Sequence, residues 1–341
     1  MTADGPLDLG ALRRAAGGYR LAQAIRAFAE LGLADALAGG PRGAEELAAL
    51  CGCHLPYLRR LLRALASEGI VVSTGDGSYA LTEASRHLAS GSGLREMVLG
   101  WSVLPAAYAA FAHLGNAVRS GRPPFELAHA TDFHNYLARR PEDAALYDAA
   151  MESTVDAFEE TVRSYDFARF HTVVDLGGGG GGFLAVLLRA HTQARGICFD
   201  LPEVIANALQ RGLEPDVADR LELRAGDLFV DTLPVGDAYT LITVLRLFED
   251  EQAVRLLRAV AHVLPPGGAI VVVDFWLPEG IPPSPLGLAD LQALCVYGGR
   301  DRTRAEYAGL LGSAGLVMGT VIELAGPLAI FDAHHAGAIT A

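Results

Sequence analysis

The sequence predicts an α/β protein in which a helical N-terminal domain precedes a Rossmann-like, mostly parallel β-sheet. Three observations predict this fold class. Helical segments followed by a short β-hairpin occupy the first hundred residues. From Thr172 onward, apolar strand segments alternate with helical segments, which indicates a parallel sheet with helices on both faces. A run of six glycines, residues 177–182, separates the first of these strands from its helix.

The first hundred residues combine amphipathic helices with turn-forming residues. Alanine, leucine and arginine recur at helical spacing, and Pro56 fits the first turn of a helix. The apolar face of that helix consists of Leu58, Leu61, Leu62 and Leu65. The predicted helices span residues 9–31, 33–37, 45–50 and 55–68, and the hairpin strands span residues 69–73 and 79–82 around a turn at 75–78.

This succession of helices and a hairpin is the winged-helix pattern, which on its own suggests DNA binding. The helix before the hairpin carries Arg59, Arg60 and Arg63, as a DNA-binding helix would. The whole chain, however, has a net charge of −13, which repels nucleic acid phosphates. We therefore expect a homodimer formed through this domain and no nucleic acid partner. A regulator that senses a small ligand is the non-enzymatic alternative.

Composition narrows the remaining classes of function. The chain contains no lysine, which excludes a lysine Schiff base and a P-loop lysine. No apolar run reaches the length of about 20 residues that crosses a bilayer. Residues 1–12 lack the features of a signal peptide, so we expect a cytoplasmic protein without membrane contact. Cys51, Cys53 and His54 lie close together, but with no further ligands nearby we expect no metal site.

The second half of the chain predicts the sheet strand by strand, with a helix between most strands. Its predicted strands span residues 172–176, 195–200, 221–225, 239–245, 269–274, 317–323 and 328–331. The preceding residues, from about 100 to 168, are helical apart from a break at Gly121. We therefore predict a dimerisation domain (1–100), a helical linker that contributes to a substrate cavity (101–168) and a nucleotide-type binding domain (169–341).

Acidic residues follow three successive strands of this domain. Glycine permits close approach of a ligand to the backbone, and Asp175 lies two residues before the glycine run. A carboxylate there argues against a phosphate and suits the cationic amino group of an amino-acid cofactor. Asp200 ends the second strand, where an acid hydrogen-bonds a ribose, although it could simply cap the next helix. Asp227 follows the third strand, where it can accept the amino group of an adenine.

These segments, in this order, resemble the small-molecule O-methyltransferase family, which includes plant phenylpropanoid enzymes and bacterial antibiotic-tailoring enzymes of secondary metabolism. The winged helix and Ala149-Ala150-Met151 are also similar to that family. The resemblance rests on Val174-Asp175-Leu176 with the glycine run, Phe199-Asp200-Leu201-Pro202-Glu203-Val204, Gly226-Asp227-Leu228-Phe229, Leu264-Pro265-Pro266-Gly267-Gly268 and Gly298-Gly299-Arg300-Asp301-Arg302-Thr303.

The resemblance implies a class I methyltransferase domain, S-adenosyl-L-methionine (or S-adenosyl-L-homocysteine) as the cofactor, and an active site between the two domains. It places Asp175 and Gly177 at the methionine end of the cofactor, Asp200 at the ribose, and Asp227 and Leu228 at the adenine. It assigns the cofactor residues Asp175, Gly177, Gly178, Asp200, Leu201, Gly226, Asp227, Leu228 and Phe248, and the substrate residues Phe133, Tyr147 and Met151.

The sequence departs from the family where the catalytic base belongs. The family has Lys-x-x-Leu-His-Asp-Trp after the fourth strand, and its histidine deprotonates the substrate hydroxyl. In this chain Arg246 replaces that histidine, and Ile242, Leu247 and Phe248 replace the lysine, aspartate and tryptophan. Arginine cannot accept a proton near neutrality, but a fixed guanidinium can stabilise an oxyanion, bind a carboxylate or polarise a carbonyl. Its alternative role is a structural ion pair with Glu249, Asp250 or another acid.

Three other residues are candidates for accepting a proton. Asp274 ends the fifth strand, Asp301 lies where the family has a second acid, and His134 falls in the helical segment over the cavity. Among them, only histidine has an ordinary pKa near neutrality. Two functions remain open at this point. The enzyme either methylates a hydroxyl, enol or related group, or it binds the cofactor and catalyses a cyclisation, a pericyclic rearrangement or a hydroxylation with Arg246 as a fixed cation.

Overall fold

A computed structural model describes residues 7–280 and 286–336, so residues 1–6, which entered the signal-peptide prediction, lie outside the described part. The chain forms two compact units. The N-terminal unit comprises Met1–Tyr108 and Arg139–Ser153, and the C-terminal unit comprises Ala109–Ala138 and Thr154–Ala341. Residues 101–168 thus contribute to both units, and the division of the chain at residues 100 and 168 remains a prediction.

Helices and strands occupy most of both units. The helices are α1 (Leu9–Ala16), α2 (Tyr19–Glu30), α3 (Leu33–Leu37), α4 (Ala44–Leu50), α5 (Leu55–Ser67), α6 (Leu94–Met97), α7 (Pro105–Phe111), α8 (Leu114–Ser120), α9 (Pro124–His129), α10 (Phe133–Ala138), α11 (Pro141–Glu152), α12 (Val155–Ser164), α13 (Gly182–Ala190), α14 (Pro202–Arg211), α15 (Asp250–Val263), α16 (Leu286–Tyr297) and α17 (Arg304–Ser313). The strands are β1 (Arg42–Gly43), β2 (Val71–Ser73), β3 (Ser78–Leu81), β4 (Thr172–Leu176), β5 (Arg195–Asp200), β6 (Leu221–Ala225), β7 (Ala238–Ile242), β8 (Ala269–Leu277), β9 (Arg302–Thr303), β10 (Leu316–Glu323) and β11 (Leu328–His335). Short 3₁₀ turns span Ala84–Leu88 and Leu245–Leu247, and a π turn spans Val98–Ser102.

The N-terminal unit has the winged-helix arrangement that the sequence predicts. Strands β2 and β3 form the antiparallel hairpin, and β1 adds a short third strand on the other side of β3. Leu58, Leu62 and Leu65 of α5 are buried in the core of this unit. The prediction of one continuous helix over residues 9–31 was wrong, because Gly17 ends α1 and its amide donates to Arg13 and Arg14 carbonyls.

The C-terminal unit is built on one sheet with the strand order β10-β11-β8-β7-β4-β5-β6. Strands β4 to β8 are parallel to one another, whereas β11 and β10 are antiparallel additions. The sheet carries apolar clusters on both faces, as a strand–helix alternation predicts. Because β4 to β8 are parallel, their carboxyl ends share one edge of the sheet, and ligands of open α/β sheets bind at that edge.

The predicted strand over residues 239–245 was wrong at its end. Strand β7 stops at Ile242, and Thr243 follows with a φ of 55°, in the left-handed region that branched residues rarely adopt. The Thr243 amide still donates to the Val273 carbonyl at 2.7 Å. The chain therefore leaves the sheet three residues earlier than predicted and places Arg246 in a 3₁₀ turn.

No helix within the described ranges 7–280 and 286–336 is long and apolar enough to cross a membrane.

Candidate active site

The glycine run forms a tight turn between β4 and α13. Gly177 and Gly179 have positive φ angles of 73° and 59°, which glycine adopts without strain. A Cβ atom on Gly178 would lie 2.5 Å from Oδ2 of Asp175 and 2.9 Å from Sγ of Cys198. Glycine is therefore required at these positions, and a ligand at this edge meets backbone atoms.

Asp175 lies beneath this turn. Its side chain is 1% exposed, and the Thr240 hydroxyl donates to Oδ1 at 2.5 Å. Burial raises the pKa of Asp175 to about 7, with Asp200 adding to the rise and the Thr240 hydrogen bond opposing it. This burial argues against the predicted direct contact of the carboxylate with a cofactor amino group, and it favours a role in shaping the turn.

Asp200 ties the glycine turn to the end of β5. The Gly179 amide donates to Oδ2 of Asp200 at 2.7 Å, and the Leu201 amide donates to Oδ1 at 2.7 Å. Asp200 and Leu201 are half-buried at the start of α14. Since each carboxylate oxygen can accept more than one hydrogen bond, Asp200 retains acceptor capacity for a ribose.

The residues at the end of β6 lie at the same carboxyl edge of the sheet. A Cβ atom on Gly226 would lie 2.2 Å from the Phe199 ring, so only glycine fits there. Oδ1 of Asp227 accepts the Phe229 amide at 2.7 Å. The Phe229 and Phe248 rings meet edge to face, with centroids 4.9 Å apart. Asp227, Leu228 and Phe248 are half-buried, so parts of their side chains are accessible at the sheet edge that also carries the glycine turn.

Arg246 is a buried ion-paired residue. Nε of Arg246 lies 2.7 Å from Oδ1 of Asp301, and Nη2 lies 3.1 Å from Oδ2, so the pair is two-pronged. Nη2 also donates to the Ala289 carbonyl at 3.3 Å, and the backbone amide of Arg246 donates to Asp274 at 3.0 Å. The residue is 4% exposed. The acid that pairs with Arg246 is thus Asp301, and Asp250 is bound instead by Arg300 and Arg302.

The two acids beside Arg246 are poorly placed to accept a proton from a ligand. Both oxygens of Asp301 are bound to Arg246, and its exposed fraction is 1%. Asp274 is fully buried and accepts the amides of Arg246 and Phe275. Burial raises the pKa of Asp274 to about 7, Asp301 adds to the rise, and Arg246 opposes it. This geometry argues against the proton-acceptor roles that the sequence suggested for Asp274 and Asp301.

Sequence reasoning missed Arg302, which holds the turn around Arg246. Arg302 is fully buried and donates to the Leu245 carbonyl at 3.0 Å, the Phe248 carbonyl at 2.8 Å and Asp250 at 2.9 Å. A Cβ atom on Gly299 would lie 2.2 Å from the Arg246 carbonyl oxygen. The motif that contains these residues therefore fixes Arg246 in two ways. Asp301 binds its side chain, and Gly299 and Arg302 pack against or bind the backbone of its turn.

His134 belongs to an aromatic cluster of the C-terminal unit. Its ring stacks on Tyr297, with centroids 5.9 Å apart and planes at 18°. Phe133 meets Tyr297 edge to face at 5.3 Å, but Phe133 is 1% exposed and so is a packing residue here. His134 is half-buried, and burial lowers its pKa, opposed by Asp132 and Glu203. Tyr297, the last residue of α16, was not singled out in the sequence.

The two remaining substrate candidates lie in the N-terminal unit, on α11. Tyr147 is half-buried, and its ring lies 6.2 Å from that of Trp101. Met151 lies one helical turn further along α11 and is also half-buried. Both side chains keep accessible surface, so their assignment to a substrate cavity remains a prediction.

Comparison with known proteins identifies the family. A profile of the O-methyltransferase domain matches residues 111–317, and a profile of the O-methyltransferase dimerisation domain matches residues 14–91. A phenazine O-methyltransferase of Lysobacter antibioticus is 34% identical over 320 residues, covering 93% of both chains. A 2,7-dihydroxy-5-methyl-1-naphthoate 7-O-methyltransferase of Streptomyces carzinostaticus is 33% identical over 299 residues, covering 86% of this chain and 89% of the relative.

Solved structures agree with these matches. An O-methyltransferase from neocarzinostatin biosynthesis, in complex with S-adenosylmethionine and 2-hydroxy-5-methyl naphthoic acid, superposes with a TM-score of 0.81 at 31% identity. The match covers 93% of this chain and 96% of that one. The glycine turn, where Gly179 has open space on its Cβ side and a positive φ, fits the same cofactor. This chain belongs to the O-methyltransferase family, and it is an S-adenosylmethionine-dependent methyltransferase of small molecules from secondary metabolism.

Proposed function

We propose that this enzyme methylates an oxygen on a small aromatic molecule. In this reaction no residue at the end of β7 accepts the proton of the substrate. The observation that carries the proposal is the two-pronged pair of Arg246 with Asp301, at the residue where the sequence motif predicts the family's base. A guanidinium remains protonated at neutral pH, so this position can hold a substrate but cannot deprotonate it. The aromatic acceptors named for the phenazine and naphthoate enzymes support an aromatic acceptor for this chain as well.

The residues that would hold the cofactor lie along the ends of β4, β5 and β6. Asp200 would accept the ribose hydroxyls, Asp227 the adenine amino group, and Phe248 and Leu228 would pack on the adenine ring. The bound cofactor supplies an electrophilic methyl group. Asp200→Ala should weaken binding of S-adenosylhomocysteine by about 1–3 kcal/mol, since polar partners lose their acceptor. Calorimetry that records an unchanged affinity would remove Asp200 from the site.

His134 is our candidate for receiving the acceptor's proton. Because burial keeps its pKa below the ordinary value of 6.5, the imidazole is neutral and able to accept a proton at neutral pH. His134 would take the proton from the acceptor's hydroxyl, whose oxygen would gain the methyl group that the bound cofactor gives up from its sulfonium. The other reading of Arg246, a cofactor-assisted rearrangement without methyl transfer, finds no support among the relatives.

Two measurements test this function. Counting S-adenosylhomocysteine against product separates the reactions, since methyl transfer releases one molecule per product and a rearrangement releases none. His134→Gln should lower kcat by about 10²-fold and remove the fall in rate at acid pH. His129→Gln is the matched control, because His129 is half-buried in the same aromatic cluster. Equal activity of the two variants would show that His134 is not the base.

We also propose that two copies of the chain pair through α1 and α2. No residue of α1 is buried within the chain, and Leu9 and Leu12 are 64% and 54% exposed. A second copy would remove this apolar surface from water. Light scattering should report a dimer for the wild type and a monomer for Leu9→Glu/Leu12→Glu. A monomer for both, at micromolar concentration, would contradict the pairing.

The proposed enzyme works in the cytoplasm and has no nucleic acid partner. The net charge of −13 supports the second part, because a phosphate backbone repels such a surface. Binding of duplex DNA at low salt, weakening as salt is added, would argue for a regulator instead.

A further inference from the structure

One nitrogen of the buried guanidinium of Arg246 stays without a protein acceptor. Nε and Nη2 are bound by Asp301 and by the Ala289 carbonyl. Nη1 donates to no acceptor in residues 7–280 and 286–336. Within these residues Nη1 is not one of the fully buried nitrogens that lack a partner, so water or a ligand can reach it.

The orientation of this nitrogen is fixed on several sides. The Phe275 ring covers one face of the guanidinium, with its centroid 4.1 Å from Cζ. Asp301 holds the edge formed by Nε and Nη2. Tyr297 lies near enough to act on Arg246 electrostatically. Because Arg302 and Gly299 hold the backbone, Nη1 cannot turn toward another protein acceptor without breaking these contacts.

The charged groups around Nη1 determine how it could hold an anion. Arg246 and Asp301 cancel each other, and burial raises the pKa of Asp274 to about 7. Burial also raises the pKa of Asp290. An anion at Nη1 would therefore be held by a directed N–H donor and not by an excess of positive charge.

We infer that Nη1 of Arg246 binds a carboxylate on the aromatic acceptor, next to the hydroxyl that is methylated. This inference rests on the proposed methyl transfer and names its substrate class, an aromatic hydroxy acid. A neighbouring carboxylate suits the position better than the reacting oxygen itself. A guanidinium on the reacting oxygen would hold its charge and lower its nucleophilicity, whereas a carboxylate keeps its charge throughout the reaction. Arg246 then acts on KM and leaves kcat nearly unchanged.

The test compares two ligands that differ in one substituent, a charged carboxylate or a neutral amide of similar size. Binding of 3-hydroxy-2-naphthoate and of 3-hydroxy-2-naphthamide is measured by calorimetry on protein saturated with S-adenosylhomocysteine. The wild type should prefer the carboxylate by about 10- to 100-fold, which is the range for a charge-assisted hydrogen bond. Wild-type protein that binds the naphthoate no better than the amide, or binds neither, overturns the inference.

Two variants remove Nη1 in different ways. Arg246→Met/Asp301→Leu deletes both charges of the buried pair, a replacement that folds tolerate well. Arg246→Lys keeps a cation beside Asp301 but lacks the planar fork. The double variant should lose the preference, and Arg246→Lys should reduce it, while the amide loses less affinity than the carboxylate in both. An undiminished preference in either folded variant overturns the inference, and Arg246→Lys decides if the double variant does not fold.

Release of S-adenosylhomocysteine during turnover keeps the two proposals apart. Turnover without a carboxylate preference overturns the inference alone. A carboxylate preference without release of S-adenosylhomocysteine from any acceptor overturns the methyl transfer, and leaves Arg246 as a carboxylate-binding residue.

Discussion

The carboxyl edge of the sheet has two halves that handle buried charge differently. At the ends of β4, β5 and β6, the acids are bound by neutral donors, namely backbone amides and the Thr240 hydroxyl. At the ends of β7 and β8, a buried cation is bound by Asp301 and lies beside Asp274. The first half holds acids of which we propose two for cofactor binding, and we call it the cofactor half. The second half holds the ion pair of Arg246 and Asp301, and we call it the acceptor half.

The difference shows how a buried arginine is held between two acids. Asp301 is the ion-pair partner of Arg246, and Asp274 accepts its backbone amide. A buried ion pair adds little stability in itself, but breaking one leaves an uncompensated charge in a poorly solvating interior. The acceptor half is therefore expected to tolerate paired replacement and not single replacement. The cofactor half, which depends on hydrogen bonds and on glycine, should respond with smaller losses.

Breaking the ion pair between Arg246 and Asp301 should cause the largest loss in the free energy of unfolding. Asp301→Ala leaves Arg246 buried without its two-pronged partner and should lower the free energy of unfolding by about 3–5 kcal/mol, measured in urea. Arg246→Met/Asp301→Leu should regain most of that loss. Asp227→Ala, in the half-buried surroundings of the cofactor half, serves as the control and should cost about 1 kcal/mol. Equal losses for Asp301→Ala and Asp227→Ala would erase the contrast between the halves.

The pH dependence of stability is the next effect. Burial raises the pKa of Asp175 from 3.8 to about 7, and the negative charge of Asp200 adds to the rise. The folded protein therefore keeps a proton that the unfolded chain has already released. The free energy of unfolding should fall as pH rises from about 4 to 7, by up to about 1.4 kcal/mol per unit, and should level off above 7.

Asp175→Asn separates this contribution from those of other groups. The amide does not titrate, so the variant should lose less stability than the wild type between pH 4 and 7. Asp274→Asn tests the same point in the acceptor half, where the pKa is also about 7. Parallel curves for the wild type and Asp175→Asn would show that Asp175 titrates near its ordinary value.

Filling the space beside Gly226, at the end of β6, should lower the free energy of unfolding moderately. Gly226→Ala would place a Cβ 2.2 Å from the Phe199 ring, so the ring or the strand end must shift, at a cost of about 1–3 kcal/mol. Binding of S-adenosylhomocysteine should weaken together with stability. Gly309→Ala is the matched control, since Gly309 lies within α17 with open space around it, and the substitution should be neutral or stabilising. Unchanged binding in Gly226→Ala would place the adenine away from β6.

The strand bounds of the cofactor half could be predicted from the sequence. Strands β4, β5 and β6 have the predicted bounds, because apolar residues recur along each of them, consecutively or in alternation, up to a turn or an acid. The position of Asp175 could not be predicted. Its exposure depends on how Gly178 folds back over the carboxylate, and no residue pattern encodes that distance.

The acceptor half was harder to predict because its contacts are long-range. Arg246 and Asp301 are 55 residues apart, and they meet only because β9 pairs with β8, which aligns Arg302 with Trp276. The sequence offered nearer acids as partners, Glu249 and Asp250. The left-handed turn at Thr243, which moves Arg246 off the strand, also leaves no signature in a branched residue.

The smallest expected effect concerns the hydroxyl that holds Asp175. Thr240→Val keeps the shape of the side chain but removes the donor to Oδ1. Because that hydrogen bond lowers the pKa of Asp175, its loss should move the pKa above about 7 and extend the fall in stability to higher pH. At pH 8 we expect a loss of about 1 kcal/mol relative to the wild type, and at pH 4 a smaller one, since the protonated acid needs the donor less. Thr240→Ser keeps the hydroxyl and should follow the wild-type curve in shape. A pH-independent loss in Thr240→Val would mean that Thr240 supports Asp175 by packing alone, and the two halves of the edge would then differ only in the ion pair.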